Sequence, residues 1–162
     1  MDLRPFTADL ASTVVSWPRS TAEVAMWCGH TGGPVSVETV VGWAAEQGVR
    51  PFGLHDGQRL VAYGELWLDD DEAEVELARL IVDPRRRGQG IGRILTARLL
   101  ALAQAEHDDV FVRVHPDNEA ALRCYAAVGF TRVSAKQEAS WNAPQPIRYV
   151  WLSYPKPLRP SR

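Results

Sequence analysis

The residues best suited to chemistry lie around Arg87-Gly88-Gln89-Gly90-Ile91-Gly92. This stretch follows an apolar run, Val75 to Val82, that reads as a buried strand. It opens a second run, Gly90 to Ala105, that reads as an amphipathic helix: Ile91, Leu95, Leu99 and Leu102 recur at helical spacing, with Ile94 beside them. Glycines let a ligand approach the main chain closely. A helix N-terminus offers unpaired N–H groups and roughly half a unit of positive charge. Together they make an anion cradle, best suited to a phosphate or pyrophosphate. A P-loop would need Lys-Ser/Thr after its last glycine, and Arg93-Ile94 stands there. A dinucleotide fingerprint would need glycine at position 93, which is arginine, although Asp108 and Asp109 sit near the distance of a ribose-binding acid.

The same loop matches the pattern Gln/Arg-x-x-Gly-x-Gly/Ala through Arg87, Gly90 and Gly92. Further along, Asn118-Glu119-Ala120-Ala121-Leu122-Arg123-Cys124-Tyr125, then Val128-Gly129-Phe130, matches Asn-x-x-Ala-x-x-x-Tyr followed by Gly-Phe. The two motifs, in this order, resemble the GNAT superfamily of acetyl-CoA-dependent N-acetyltransferases. The likeness runs from about Leu60 to Val133. It implies acetyl-CoA as cofactor. By resemblance, the pyrophosphate belongs to the main chain of Arg87, Gly88, Gln89, Gly90, Ile91, Gly92 and Arg93. The pantetheine arm belongs to Leu80, Ile81 and Val82 as an added pseudo-strand, with a backbone N–H there as oxyanion donor. Asn118 is implied as a partner of CoA, and is an equally good helix N-cap. Tyr125 is implied as the general acid facing the CoA sulfur; its structural alternative is aromatic packing. Arg85 and Arg86 are either contacts to the 3′-phosphate or solvated charges.

Acetyl transfer to an amine needs a base, because a lysine-type amine with a pKa near ~10.4 is mostly protonated at neutral pH. Many relatives place a glutamate on the fourth strand. Glu76 is six positions before Val82 and shares its face if no bulge intervenes; a bulge would reverse this. Glu74 has the same parity, and Glu65 lies on the neighbouring strand. N-terminal acetyltransferases of the superfamily often carry a glutamate on the fifth strand where Arg113 stands here, and arginine cannot act as a base. The acceptor is therefore read as a small-molecule or peptide amine, without an N-terminal-alanine preference. By fold analogy, Trp17, Trp27 and the Cys28 to Gly33 loop, with Trp141 and Asn142, wall its pocket.

Elements must hold these groups in place. Leu3 to Phe6 reads as a strand, and Thr7 as the cap of a helix from Ala8 towards Trp17, stopped by Pro18. Ser20 to Glu23 is a capping-box pattern, so a helix starts at Thr21 and ends at Gly29. Val37, Val40, Val41 and Ala44 carry helical spacing, with Gly48 as the stop. Pro51 to His55, Leu60 to Leu68 and Ala73 to Val82 read as an antiparallel meander, turned first at Asp56-Gly57. Val110 to Val114 is a strand, Glu119 to Ala127 a helix closed by Gly129, and Phe130 to Ala135 a strand. A polar loop carrying Trp141 and Asn142 follows, then a last strand, Arg148 to Ser153. The fold class is α/β: a GNAT-like mixed, mostly antiparallel sheet of about seven strands, splayed between the fourth and fifth, with four to five flanking helices (element order read as in). Residues 1–154 read as a single domain, and 155–162 as a proline-rich, poorly ordered tail.

Composition sets outer bounds. A chain of 162 residues with net charge −2 has no general attraction to nucleic acid or to membrane. No apolar run approaches the roughly 18 residues of a membrane span, and the first residues lack the apolar centre of a signal peptide. Cys28, Cys124 and the four histidines show no metal-ligand spacing, so no metal is expected. Two thiols without an export signal point to the cytoplasm. Asp69 to Glu72 lacks the spacing of a calcium loop and reads as a solvated turn. The resemblance also allows a homodimer.

Overall fold

Apolar alternation and the Asp56-Gly57 turn join the middle strands as a meander. In the computed structural model, which describes residues 1–156, β1 (Asp2–Pro5), β2 (Val49–Asp56), β3 (Arg59–Asp69) and β4 (Glu74–Val82) pair in sequence, all antiparallel. Gly57 takes the left-handed φ of 61° that the tight turn requires. β5 (Asp109–Val114), β6 (Thr131–Arg132) and β7 (Val150–Ser153) complete a seven-stranded sheet in the order β1-β2-β3-β4-β5-β7-β6. Among the described strands only β4 and β5 run parallel. Their register covers Glu74–Asp109, Val75–Val110 and Glu76–Phe111 and goes no further. Beyond Glu76 the two strands part, and that gap is the expected splay.

Among the described residues six α-helices flank the sheet: α1 (Ala11–Val15), α2 (Thr21–Cys28), α3 (Val37–Trp43), α4 (Ile91–Glu106), α5 (Glu119–Val128) and α6 (Ala135–Asn142). One core joins the sheet to α4 and α5 through Leu54, Val61, Leu77, Leu95, Leu99, Val112 and Phe130. The second joins it to α1–α3 through Val14, Trp17, Trp27, Val40, Trp43, Tyr63 and Ile81. Val110, Val112 and Val114 alternate inward as their spacing requires. None of the described helices is long and apolar enough to cross a membrane.

Several elements differ from the sequence reading, each for a local reason. The first helix is interrupted: a 3₁₀ turn at Ala8–Leu10 precedes α1, and the Thr7 side chain caps nothing. The buried stripe of α4 is Ile91, Leu95, Leu99 and Ala103, flanked by Thr96 and Leu100, while Ile94 and Leu102 are exposed. A period of 3.6 carries the seam from 99 to 103 rather than to 102. α3 ends at Trp43, short of Gly48. The strand expected from Phe130 shrinks to two residues, and the expected loop after it holds α6. Ser134 caps α6 by accepting from the Gln137 N–H at 3.2 Å. Tyr154 is held, its N–H donating to the Val110 carbonyl at 2.8 Å. The rest of the proline-rich tail, from Pro157, lies outside the described residues.

The largest departure is in β4. Tyr63 pairs with Ile81, but Glu65 pairs with Ala78. One residue of β3 therefore faces two of β4, Arg79 and Leu80, and the extra residue is a β-bulge. Arg79 adopts φ 50°, a left-handed conformation that costs a non-glycine residue roughly 1–2 kcal/mol. Gly64 stands opposite. A Cβ there would lie 2.8 Å from Leu99 Cδ1 and 3.1 Å from Leu80 Cγ, so glycine is what lets Leu80 fold in beneath the bulge. The bulge reverses the parity of the strand: Glu76 shares a face with Ile81, not with Val82.

Candidate active site

The gap between β4 and β5 opens into a cleft of about 760 Å³. β4 supplies Leu80, Ile81 and Val82, the glycine loop and α4 supply Arg87 to Arg93 without Gln89, α5 and its cap supply Asn118 to Tyr125 without Leu122, and α2 supplies Glu23, Met26 and Trp27. Two halves of the chain that are far apart in sequence thus meet across one slot.

α4 begins at Ile91. Its N-cap is Gly90 at φ 78°, with no side chain capping it. The first intrahelical bond runs from the Ile94 N–H to the Gly90 carbonyl at 3.2 Å. The N–H groups of Ile91, Gly92 and Arg93 have no partner within the helix, and they point at the cleft mouth with the positive end of the helix dipole. A Cβ on Gly88 or Gly90 would meet nothing within 4 Å, so the main chain there is open to a ligand. Gly92 serves another purpose: a Cβ would sit 3.4 Å from Cys124 Sγ, so glycine brings α4 and α5 together. This donor set fits a diphosphate. Gln89 turns away from the cleft and accepts from Arg86 Nε at 3.1 Å. Arg87 lies at the cleft, donating to Glu23 at 3.0 Å and to the Val82 carbonyl at 3.3 Å.

The strand edges can be assigned by alternation. The Asp83 N–H donates to the Val61 carbonyl of β3, whereas the Val82 carbonyl faces Arg87. Polar groups of successive residues point to opposite edges, so the main chains of Leu80 and Val82 face the gap. Tyr125 is buried at the inner end of the cleft, and its hydroxyl donates to no other described residue. Burial pushes its pKa well above the ordinary phenol range, and the neighbouring Cys124 and Glu76 push it the same way. Tyr125 is therefore a neutral donor at any physiological pH. Cys124 also lines the cleft, and burial raises its pKa, so it stays a thiol. Asn118 caps α5, accepting from the Ala121 N–H at 3.2 Å, and its residue edge lines the cleft as well.

Glu76 stands at the last paired position before β4 and β5 part. Both its oxygens are held by Arg113, from Nε at 2.6 Å and from Nη2 at 2.8 Å, and Arg113 also donates to Gln145 at 3.0 Å. The Arg113 guanidinium lies 4.8 Å from the Trp151 ring centre. Glu65 is fully buried. It accepts from the Tyr63 hydroxyl, from Trp67 Nε1 at 2.6 Å and from Arg79 at 3.1 Å. Burial raises the Glu65 carboxyl, with Arg79, Tyr63 and Trp67 opposing. It is closed off from the cleft. Glu74 lies at the outer end of β4, opposite Asp109.

The aromatic wall expected for an acceptor is only partly there. Trp27 lines the cleft and donates its indole N–H to the Arg79 carbonyl at 2.8 Å. Trp17 is 1% exposed, packed in the core beneath α1–α3, and does not reach the cleft. Trp141 stacks near Phe111 and Trp151 away from the lining. The Asn142 amide is used up in tying α6 to β7: it donates to the Tyr149 carbonyl and accepts from the Tyr149 N–H and Trp151 Nε1. Sequence inspection missed Arg79 altogether, and missed Glu23 and Met26 as lining residues. A capping-box glutamate gives no sign of a distant arginine partner.

The family model for the GNAT acetyltransferases matches residues 12–130. The chain belongs to that family. In sequence, it is 42% identical over 64 residues to the N-alpha-acetyltransferase RimI of Mycobacterium tuberculosis, a match covering 40% of this chain and 39% of that protein. It is 40% identical over 68 residues to a mycothiol acetyltransferase of Kineococcus radiotolerans, covering 42% of this chain and 22% of that protein. The matches thus span well under half the length of these curated relatives. In structure, the chain is similar to AAC(6')-Ib in complex with ribostamycin and coenzyme A, with a TM-score of 0.75 at 19% identity over 94% of this chain and 91% of that one. It is similar too to the spermidine N-acetyltransferase of Vibrio cholerae in complex with CoA and spermine, with a TM-score of 0.71 at 14% identity over 94% and 92%. At such identities the likeness shows a shared fold.

Proposed function

We propose that this GNAT protein binds acetyl-CoA in the cleft and transfers the acetyl group to a primary amine by direct attack, with both partners bound at once. The observation that carries this reading is a convergence. Unpartnered amides at the start of α4, the strand edges of Leu80 and Val82, and Tyr125, whose hydroxyl no described residue engages, all lie along the slot left by β4 and β5. Bound acetyl-CoA supplies an activated acyl group as its thioester.

The residues of the chain do the rest. The amides of Ile91, Gly92 and Arg93, with the opened loop at Gly88 and Gly90 and the Arg87 side chain, hold the diphosphate. Leu80, Ile81 and Val82 offer strand edges to the pantetheine amides. A main-chain N–H from this stretch, Leu80 by the alternation above, stabilises charge developing on the carbonyl oxygen. Tyr125 donates its proton to the departing sulfur. Glu76 is the base. Arg113 occupies two of its roughly four lone-pair sites, which leaves others to take the amine proton through a water. The acceptor enters from the α2 side, past Met26 and Trp27.

An amine panel tests this directly: a peptide N-terminus, an aminoglycoside and spermidine, each with acetyl-CoA, followed by thiol release. Acetylation of at least one class is expected, with calorimetric binding of CoA and none of NADH. Preference for NADH would sink the reading. Binding of CoA without thiol release on any amine would leave only an acyl-CoA binding module.

A further inference from the structure

We infer that Arg79 is a positioning residue for the acyl-transfer step: its side chain locks the β4 bulge, and the bulge aims the Leu80 amide into the gap. The inference rests on the acetyl-CoA site proposed above. Five contacts converge on this one residue. Its guanidinium lies 4.0 Å from the Trp43 ring centre and 4.7 Å from that of Trp67. It pairs with the fully buried Glu65 at 3.1 Å and with Glu46 at 3.6 Å. Its carbonyl accepts the Trp27 indole N–H at 2.8 Å. Its backbone is left-handed, at φ 50°.

The sequence gives arginine no local reason to adopt that backbone, since side chains other than glycine disfavour it. The aromatic stack, the buried carboxylate and the indole bond together over-determine it, which is how unfavourable backbone persists at functional positions. The consequence falls on the next residue. With the extra residue in place, Leu80 packs its side chain against Gly64 and the main core, and its main-chain edge turns to the open side. Relaxed into a regular strand, β4 would shift by one and present a different edge. The carbonyl side of the lock belongs to α2, which also lines the cleft through Met26 and Trp27. An element on the acceptor side thus helps to fix a donor on the cofactor side.

The test separates side-chain chemistry from backbone geometry. Removing the guanidinium alone would strand Glu65, so both variants carry Glu65→Gln: one with Arg79→Ala, the other with Arg79→Gly. They differ by a methyl group, and glycine alone accepts φ 50° freely. Two readouts are taken. The first is the amide NMR shift of Leu80 with acetyl-CoA minus that with CoA, which needs no turnover. The second is kcat against KM for acetyl-CoA. In the wild type and the glycine variant, the differential shift is expected and kcat agrees within about threefold. In the alanine variant the shift is lost and kcat falls by about 10²-fold or more, in the range of a lost oxyanion donor, with CoA affinity kept. Equal behaviour of the two variants, in either readout, overturns the inference. So does a fall in CoA affinity without a fall in kcat. A wild type that binds acetyl-CoA and shows the shift but acetylates no amine fails the proposed activity and leaves the lock standing. A wild type that binds no acetyl-CoA ends both.

Discussion

At the scale of single residues, Tyr125 gives the sharpest expectation. Tyr125 lines the cleft and its hydroxyl is engaged by no described residue, so Tyr125→Phe changes chemistry with little change in packing. We expect kcat to drop by about 10² or more, the usual share of a general acid, with CoA binding unchanged in calorimetry. The pKa shift fixes the pH behaviour. Burial raises it, so the protonated, competent form persists beyond the free-phenol value near ~10. An alkaline limb in kcat centred below that value, present in the wild type and absent in the phenylalanine variant, would contradict the assignment. That Tyr125 lines the cleft was foreshadowed by the resemblance of Asn118 to Tyr125 and Gly129-Phe130 to the superfamily's motif; its role as the acid is the proposal that the variant tests. Glu76 was legible only as a candidate. Its face depended on a bulge, and Arg79 carries no local signal for one: arginine is a poor choice for left-handed backbone, and the contacts that force it come from Trp43 and Glu65, far along the chain. Trp17 and Asn142 misled for a related reason. Aromatic and amide side chains suit a pocket and a packed junction equally well, and only tertiary partners decide between them.

At the scale of elements, α4 offers a test of what periodicity can and cannot tell. The helix itself was plain from its apolar spacing and its glycine start. Which side chains lie in the seam was not, because Ile94 and Leu102 are as apolar as the residues that bury. The structure puts Leu95 at 0% exposure and Ile94 at 36%. Leu95→Ala should therefore cost about 2–5 kcal/mol in denaturant unfolding, as a cavity in a closed core does, while Ile94→Ala should stay within about 0.5 kcal/mol. Comparable losses at both positions would mean that Ile94 is covered in solution. Helix α2 makes a second prediction. Glu23 lies on its first turn and holds Arg87 at 3.0 Å, inside the cradle. If that pairing pre-orients Arg87 for a diphosphate, Glu23→Gln weakens CoA binding; tighter binding would show instead that the carboxylate competes with the phosphates. The later elements show where sequence reading stops. β6 and α6 follow one another within a dozen residues of polar composition. The Ser134 to Gln137 cap was a usable sign of the helix, but Val133 gives its N–H to the Trp151 carbonyl only because β7 has already returned alongside.

At the scale of the whole molecule, the sheet divides two cores, and the charged groups that tie its loops down bracket stability in pH. Asp83 sits at the turn between β4 and the cradle. It accepts from the Arg85 N–H at 3.0 Å, from the Arg85 side chain and from Arg59 at 3.1 Å. Burial pulls its pKa up, but Arg85 and Arg59 outweigh it and the carboxyl ends below its usual range. Glu138 is lowered chiefly by Arg132, and Glu23, despite its burial, by Arg87 and the Arg19 N–H. A carboxyl whose folded pKa is depressed contributes stability that is present above its unfolded value and is lost as pH falls through the folded one. Glu65 runs the other way, since its raised pKa favours the fold as it protonates, and so softens the acid limb. Tyr63 and Tyr125 are raised too, and their contribution holds below about 10 and is lost as pH climbs past it. Thermal stability should therefore fall as pH drops below the ordinary carboxyl range, and fall again as it climbs through the ordinary thiol and then phenol ranges, where the raised Cys28, Cys124, Tyr63 and Tyr125 cease to favour the fold. Asp83→Asn isolates the acid side. The variant should melt below the wild type at pH 7, and the gap should narrow as pH falls below the ordinary carboxyl value and on through the depressed folded one. A gap that stays constant over that whole acid range would assign the loss to packing or hydrogen-bond geometry at the turn. Calorimetric CoA titrations at pH 7 on the same variant then show whether the turn and the cradle move together: weaker binding with unchanged stoichiometry is the expected result, because Asp83 fixes the chain two residues before the arginines that lead into Gly88.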